Sequence, residues 1–155
     1  MTDNRVVRIL IVDDDRSIRE TLRVVLQDEG YDVLEAEDGQ VALKILRASS
    51  EPLVVLLDLR MPVLDGTGVL SAVAADSHLS TRHAILMITA NRDSIQDKDR
   101  TAQLLQQLHV AVIPKPFDLD GLIDTVDQTA RRLSASMPDS WSDTSPHQAT
   151  RGTTS

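Results

Sequence analysis

Cysteine is absent from all 155 residues, which excludes disulfides, thiolate zinc sites and cysteine nucleophiles and suits a reducing compartment. Also missing is any apolar run approaching the roughly 20 residues of a membrane span, and the opening MTDNRVVR has no apolar stretch of the signal-peptide kind. A cytoplasmic protein is expected. Positive charge is in deficit: 16 Lys and Arg face 24 Asp and Glu, for a formal net charge of −8. Such a surface repels phosphate backbones and anionic lipid, so neither nucleic acid nor a membrane is expected as a direct partner. Neither G-x-x-x-x-G-K nor G-x-G-x-x-G occurs, and DGTG at 65–68 reads as a turn rather than a nucleotide loop. His78, His83, His109 and His147 have no mutual ligand spacing and are expected at surface or boundary positions.

What the chain does contain is an alternation of two patterns. VVRILIV (6–12), PLVVLLD (52–58), HAILMIT (83–89) and HVAVIP (109–114) are short runs rich in Val, Ile and Leu, as expected of parallel strands buried on both faces. YDVLEAE (31–37) alternates more and suits a sheet edge. Between them lie helical patterns. Ile18, Leu22, Val25 and Leu26 share one face, with Ser17 and Glu20 able to form a capping box and Gly30 placed as a stop. Further helices are predicted over 40–48, 67–76 and 93–108. The clearest carries Leu119, Leu122, Ile123, Val126, Ala130 and Leu133 at helical spacing. Five β-α units with right-handed crossovers predict an α/β fold: a five-stranded parallel sheet, doubly wound between helices. One domain over 1–133 fits this length, and the Ser- and Thr-rich segment 134–155 is expected to be disordered, with Trp141 incidental.

In open α/β sheets, ligands bind at the carboxyl ends of the strands. Those ends carry Asp13 and Asp14, then Asp58, Thr89 and Lys115. RILIVDDD (8–15) runs from a core strand straight into three aspartates, a crowding of like charge that raises carboxylate pKa values. Three carboxylates, a hydroxyl and an ammonium at one rim suit a hard cation with oxygen ligands, Mg²⁺ above others because it keeps waters available for phosphate. With Mg²⁺ and Lys115 the formal charges of Asp13, Asp14 and Asp58 cancel, which leaves room for an incoming anion. Phosphoryl transfer relies on that kind of positioning and neutralisation. Asp15 falls outside the set and suits a helix N-terminus.

ILIVDD (9–14), LLDLRMPVLDG (56–66), MITA (87–90) and PKPF (114–117) resemble, in order and spacing, the receiver domain of bacterial two-component response regulators. The resemblance covers about residues 5–133. It implies the flavodoxin-like (βα)5 fold with strand order 2-1-3-4-5 and a cis Lys115-Pro116 bond. It makes Asp58 the phosphoacceptor, with Asp13, Asp14, Asp58 and the backbone carbonyl of Arg60 around Mg²⁺ and Thr89 and Lys115 on the phosphoryl oxygens. The implied partners are a sensor histidine kinase or phosphotransfer protein as donor and an unidentified downstream protein, with a homodimer also open. The domain would catalyse only its own phosphorylation and dephosphorylation.

Several positions depart from the family pattern. Val112 stands where the family often has a switching aromatic. The stretch between Thr89 and Lys115 is long, and LLQQLHVAV lacks the usual Gly-Ala turn. Arg60 and Asn91 occupy positions that in the family tune acyl-phosphate lifetime. A stand-alone, chemotaxis-regulator-like receiver is the leading expectation. One alternative is a haloacid-dehalogenase-like phosphatase using Asp13 of the D-x-D formed with Asp15, although Arg16 and Ser17 replace the Gly-Thr expected next. The other is a receiver-fold binding module that works without phosphorylation.

Overall fold

The structure, a computed structural model, describes residues 7–90 and 100–136. Strands β1 (Arg8–Val12), β2 (Val33–Ala36), β3 (Leu53–Asp58), β4 (Ala84–Thr89) and β5 (Ala111–Pro114) form one sheet in the order β2-β1-β3-β4-β5, every pair parallel. This is the doubly wound arrangement expected, with the alternating segment β2 at an edge. The helices are α1 (Arg16–Asp28), α2 (Gly39–Ala48), α3 (Gly66–Ala74), α4 (Ser77–Arg82), α5 (Arg100–Gln107) and α6 (Leu119–Ala135).

Successive strand residues point to opposite faces, and each face has its own core. Ile9, Ile11, Val54, Leu56, Leu86 and Ile88 pack with Leu22 and Leu26 of α1 and Leu122, Val126 and Leu133 of α6. Leu10, Val12, Val55, Leu57 and Met87 pack with residues of α2, α3 and α5 on the other side. Central strands therefore need apolar side chains along their interior, and β3 is buried throughout, its terminal Asp58 included.

Among the described residues, five helices start on an aspartate: Asp15, Asp38, Asp65, Asp76 and Asp118 each accept a backbone N–H of the first turn. Each such cap is worth about 1 kcal/mol, and part of the chain's acidity is spent this way. Asp15 takes N–H bonds from Ser17 and Ile18, so it displaces the Ser17–Glu20 capping box. Helix α4 lies outside the expected pattern; its six residues bury only Leu79, too little for a periodic signal. Of the helix predicted over 93–108, residues 100–107 are helical and 93–99 lie outside the described residues. The last helix continues through Ala135, past the expected end at 133, and Leu119 stays 36% exposed at its start. Most of the Ser/Thr-rich segment, with Trp141 and His147, also lies outside the described residues.

His83 corrects another expectation. It is buried, its Nδ1 accepts the Leu53 N–H at 3.1 Å, and Nε2 lies 3.1 Å from the Leu46 carbonyl. The neutral ring thus ties the end of α2 to the start of β3, and burial lowers its pKa to about 4.

Two helices end in the same turn. After α1, Tyr31 N–H bonds the Leu26 carbonyl and Gly30 N–H bonds that of Gln27, with Gly30 at φ +99°. After α5, Val110 N–H bonds Leu105 and His109 N–H bonds Gln106, with His109 at φ +56°. Both are Schellman motifs, so the missing glycine before β5 costs the chain conformational energy rather than the turn itself. His109→Gly is expected to stabilise the fold by about 1 kcal/mol, read as a higher urea midpoint with unchanged m-value; an unchanged or lower midpoint would contradict the αL strain at this position.

Candidate functional site

Register decides what meets at the carboxyl rim. Val12 pairs Leu57, Leu57 pairs Met87, and Met87 pairs Val112. The next residues along β1 and β3 are Asp13 and Asp58, and β4 and β5 finish with Thr89 opposite Pro114, just before Lys115. Asp13, Asp58 and Thr89 are buried, whereas Asp14 is exposed. The structure therefore places all five polar strand-end residues expected from the sequence at one rim.

Carboxylate oxygens of Asp13, Asp14 and Asp58 lie within 4.8 Å of one another. The Lys115 ammonium donates to Asp13 Oδ2 at 3.2 Å and sits 3.8 Å from Asp58 Oδ1. Asp13 is held on its other oxygen by the Asp15 N–H at 2.9 Å. The Lys115 N–H bonds the Thr89 carbonyl at 2.8 Å, which joins the ends of β4 and β5, and the following Lys115-Pro116 bond is cis. Burial raises the Asp58 pKa to about 6, with the Asp13 charge adding to the rise and Lys115 and the Arg60 N–H opposing it.

The loop after Asp58 is folded tightly beneath it. Gly66 N–H bonds the Leu59 carbonyl at 2.8 Å, and a Cβ at Gly66 would fall 2.7 Å from the Asp58 carbonyl oxygen and 2.8 Å from Leu59 Cα. Only glycine permits that approach. At the loop's outer bend, Leu64 N–H bonds the Pro62 carbonyl and Val63 takes φ +69° while 71% exposed. A β-branched residue in this γ-turn is strained.

Sequence reasoning missed Arg19. From α1 its Nη1 donates to the Asp13 carbonyl at 2.7 Å and its Nε to Glu35 Oε1 at 3.1 Å. An arginine on a helical face gives no sign of which carbonyl it will reach. Val112 is half-buried on the α2/α3/α5 side of the sheet. Asn91 lies outside the described residues.

Residues 9–127 match the response regulator receiver domain family. Response regulator MprA of Mycolicibacterium vanbaalenii is 41% identical over 128 residues, covering 83% of this chain and 52% of that protein. Its namesake in Mycobacterium tuberculosis is 40% identical over 126 residues, 81% of this chain and 51% of the relative. The chain thus spans about half the length of the curated relatives it matches. Among solved structures, a CheY-like receiver domain protein of Methanospirillum hungatei superposes with TM-score 0.67 at 29% identity, over 85% of this chain and 98% of that one. The regulator TrrA of Thermotoga maritima, solved in complex with Mg²⁺-BeF, gives TM-score 0.65 at 30% identity over 79% and 97%.

Two expectations follow from the site. Gly66→Ala should destabilise the fold by about 1–3 kcal/mol through overpacking against the Asp58 loop, measured by urea unfolding. The second concerns pH. A raised Asp58 pKa means the folded state holds that proton more tightly than the unfolded chain, so stability is lost as pH climbs from about 4 to 6; the lowered His83 pKa works in the opposite direction, with stability lost as pH falls from about 6.5 to 4. In EDTA the two contributions, each on the order of 3 kcal/mol, should largely cancel in the wild type. Asp58→Asn should then be more stable than wild type at pH 7 and should lose stability steeply on acidification, whereas parallel wild-type and variant profiles would sink this account.

Proposed function

The chain belongs to the response regulator receiver domain family, and from that premise we propose that it accepts a phosphoryl group on Asp58 and signals through contacts with other proteins. The observation that carries the reading is the convergence of Asp58, Asp13, Asp14 and Lys115 at one rim. A carboxylate oxygen of Asp58 attacks phosphorus of a phosphohistidine on a sensor kinase or phosphotransfer protein. A P–O bond forms as the P–N bond breaks, and the imidazole leaves on the donor. Lys115 pairs with a phosphoryl oxygen, and the Thr89 hydroxyl donates to another. The product has one more negative charge than the carboxylate it replaces, and that change drawn toward Thr89 and Lys115 is the local event a switch requires.

The residues at this rim fit Mg²⁺. Its donors are all oxygen, the three carboxylates crowd within bonding reach of one ion, and their mutual repulsion is relieved by a cation. Asp13, Asp14, Asp58 and the backbone carbonyl of Arg60 are the residues that would hold it. When bound, Mg²⁺ supplies charge neutralisation for the phosphoryl oxygens.

The domain acts as a phosphoacceptor and catalyses only its own phosphorylation and dephosphorylation. Its acidic surface supports proteins rather than nucleic acid as the partners of this domain.

Incubation with Mg²⁺ and acetyl phosphate, followed by intact-mass spectrometry, tests the reading. One added phosphoryl group is expected on the wild type, absent from Asp58→Asn. An adduct that survives Asp58→Asn but disappears in Asp13→Asn would transfer the chemistry to a haloacid-dehalogenase-like use of Asp13. No adduct from acetyl phosphate or from a phosphohistidine donor would leave a phosphorylation-independent binding module.

A further inference from the structure

We propose that Arg19 is a positioning residue for the metal-binding pair Asp13 and Asp14, acting through the peptide plane that joins them; the inference rests on the Mg²⁺ phosphoacceptor reading of the rim. The Arg19 side chain is 14% exposed and bridges two strands, with Nη1 on the Asp13 carbonyl at 2.7 Å and Nε on Glu35 Oε1 at 3.1 Å. Glu35 belongs to β2 and pairs with Ile11 of β1. Arg23, one turn further along α1, takes the other Glu35 oxygen at 2.7 Å. The bond from Arg19 Nε to Glu35 Oε1 sets the direction of the Arg19 fork, and Arg23 stands on the opposite oxygen.

The consequence lies in the covalent geometry. The Asp13 carbonyl shares a rigid plane with the Cα atoms of Asp13 and Asp14. Fixing that oxygen fixes the rotation of the plane, and with it the directions in which both carboxylates leave the backbone. The ladder holds the strand side of this turn through the Asp13 N–H to the Ala36 carbonyl at 3.2 Å. The Asp15 N–H to Asp13 Oδ1 bond holds the helix side. The plane between them is what Arg19 grips, by a charge-assisted bond stronger than a neutral one.

A pure field argument predicts the opposite of positioning. Arg19 is a cation beside a cation site, so deleting its charge would strengthen Mg²⁺ binding through Coulomb's law. Deleting a positioning bond would weaken it, because groups that orient metal ligands typically contribute about 10- to 100-fold in affinity. The sign of the change therefore separates the two. Arg23→Gln is the matched control: it removes the same charge from the same helix and the same carboxylate, and leaves the Asp13 carbonyl bond in place.

Mg²⁺ titration calorimetry at constant ionic strength on wild type, Arg19→Gln, Arg19→Lys and Arg23→Gln tests this, with thermal melting in EDTA to establish that each variant folds. Arg19→Gln is expected to bind Mg²⁺ about tenfold more weakly, and Arg23→Gln as tightly as wild type or slightly more so. Arg19→Lys keeps the charge and one donor for the carbonyl but loses the fork to Glu35, and should fall between. Should Arg19→Gln fail to fold, Arg19→Met keeps the packing of the apolar stem and carries the same readout. A folded Arg19→Gln or Arg19→Met that binds Mg²⁺ as well as or better than wild type overturns the inference. Failure of the wild type to bind Mg²⁺ would be visible before any variant is compared, and would overturn the reading of the rim itself.

Discussion

Parallel register is the constraint on which everything else at the rim depends. Side chains alternate with period two, so a slip of one residue in any strand would turn its buried set outward and carry its terminal polar residue away from the others. In the central strands both faces are buried, and a slip would exchange Ile9 and Ile11 with Leu10 and Val12 between two differently shaped cores. The apolar interior is thus what aligns Asp13 with Asp58 and brings Lys115 past the end of β5 to meet them. Packing in the sheet is converted into charge geometry at its edge.

That geometry is unfavourable on its own terms. Asp58 is buried beside Asp13 with its pKa pushed up to about 6, and Lys115 offsets the repulsion only in part. The fold tolerates the crowding because its fastenings are rigid: Asp13 is bound on both oxygens, the Asp58 loop is clamped at Gly66, and β4 and β5 are tied through the Thr89 carbonyl. Stability is given up at this rim, a common feature of sites that bind charge.

Much of this is legible in the sequence. Strands of continuous Val, Ile and Leu predict a doubly buried parallel sheet, and their carboxyl ends carry Asp13, Asp14, Asp58, Thr89 and Lys115. The features that escaped share a physical reason. Helix α4 buries a single leucine, so no period marks it. His83 is an ionisable side chain used as a neutral strut between two backbone groups, and its type gives no hint of burial. His109 and Val63 adopt positive φ where glycine or asparagine would have announced a turn. Arg19 works through a long side chain whose reach depends on the packing angle of α1. Local pattern reveals what local energetics decide; these residues are decided by tertiary placement.

The same distinction bears on how a change at Asp58 could leave the rim. With Val112 in place of an aromatic ring, no large side chain stands at that position of β5 to swing between buried and exposed states. Val112 pairs Met87 and packs on the face shared with α3 and α5. On that face Thr67, in the first turn after the Asp58 loop, hydrogen-bonds Thr101 in the first turn of α5. Gly66 seats the start of α3 directly against the Asp58 and Leu59 backbone, so no gap separates that loop from α3. Closely packed interiors transmit shifts rather than dissipate them.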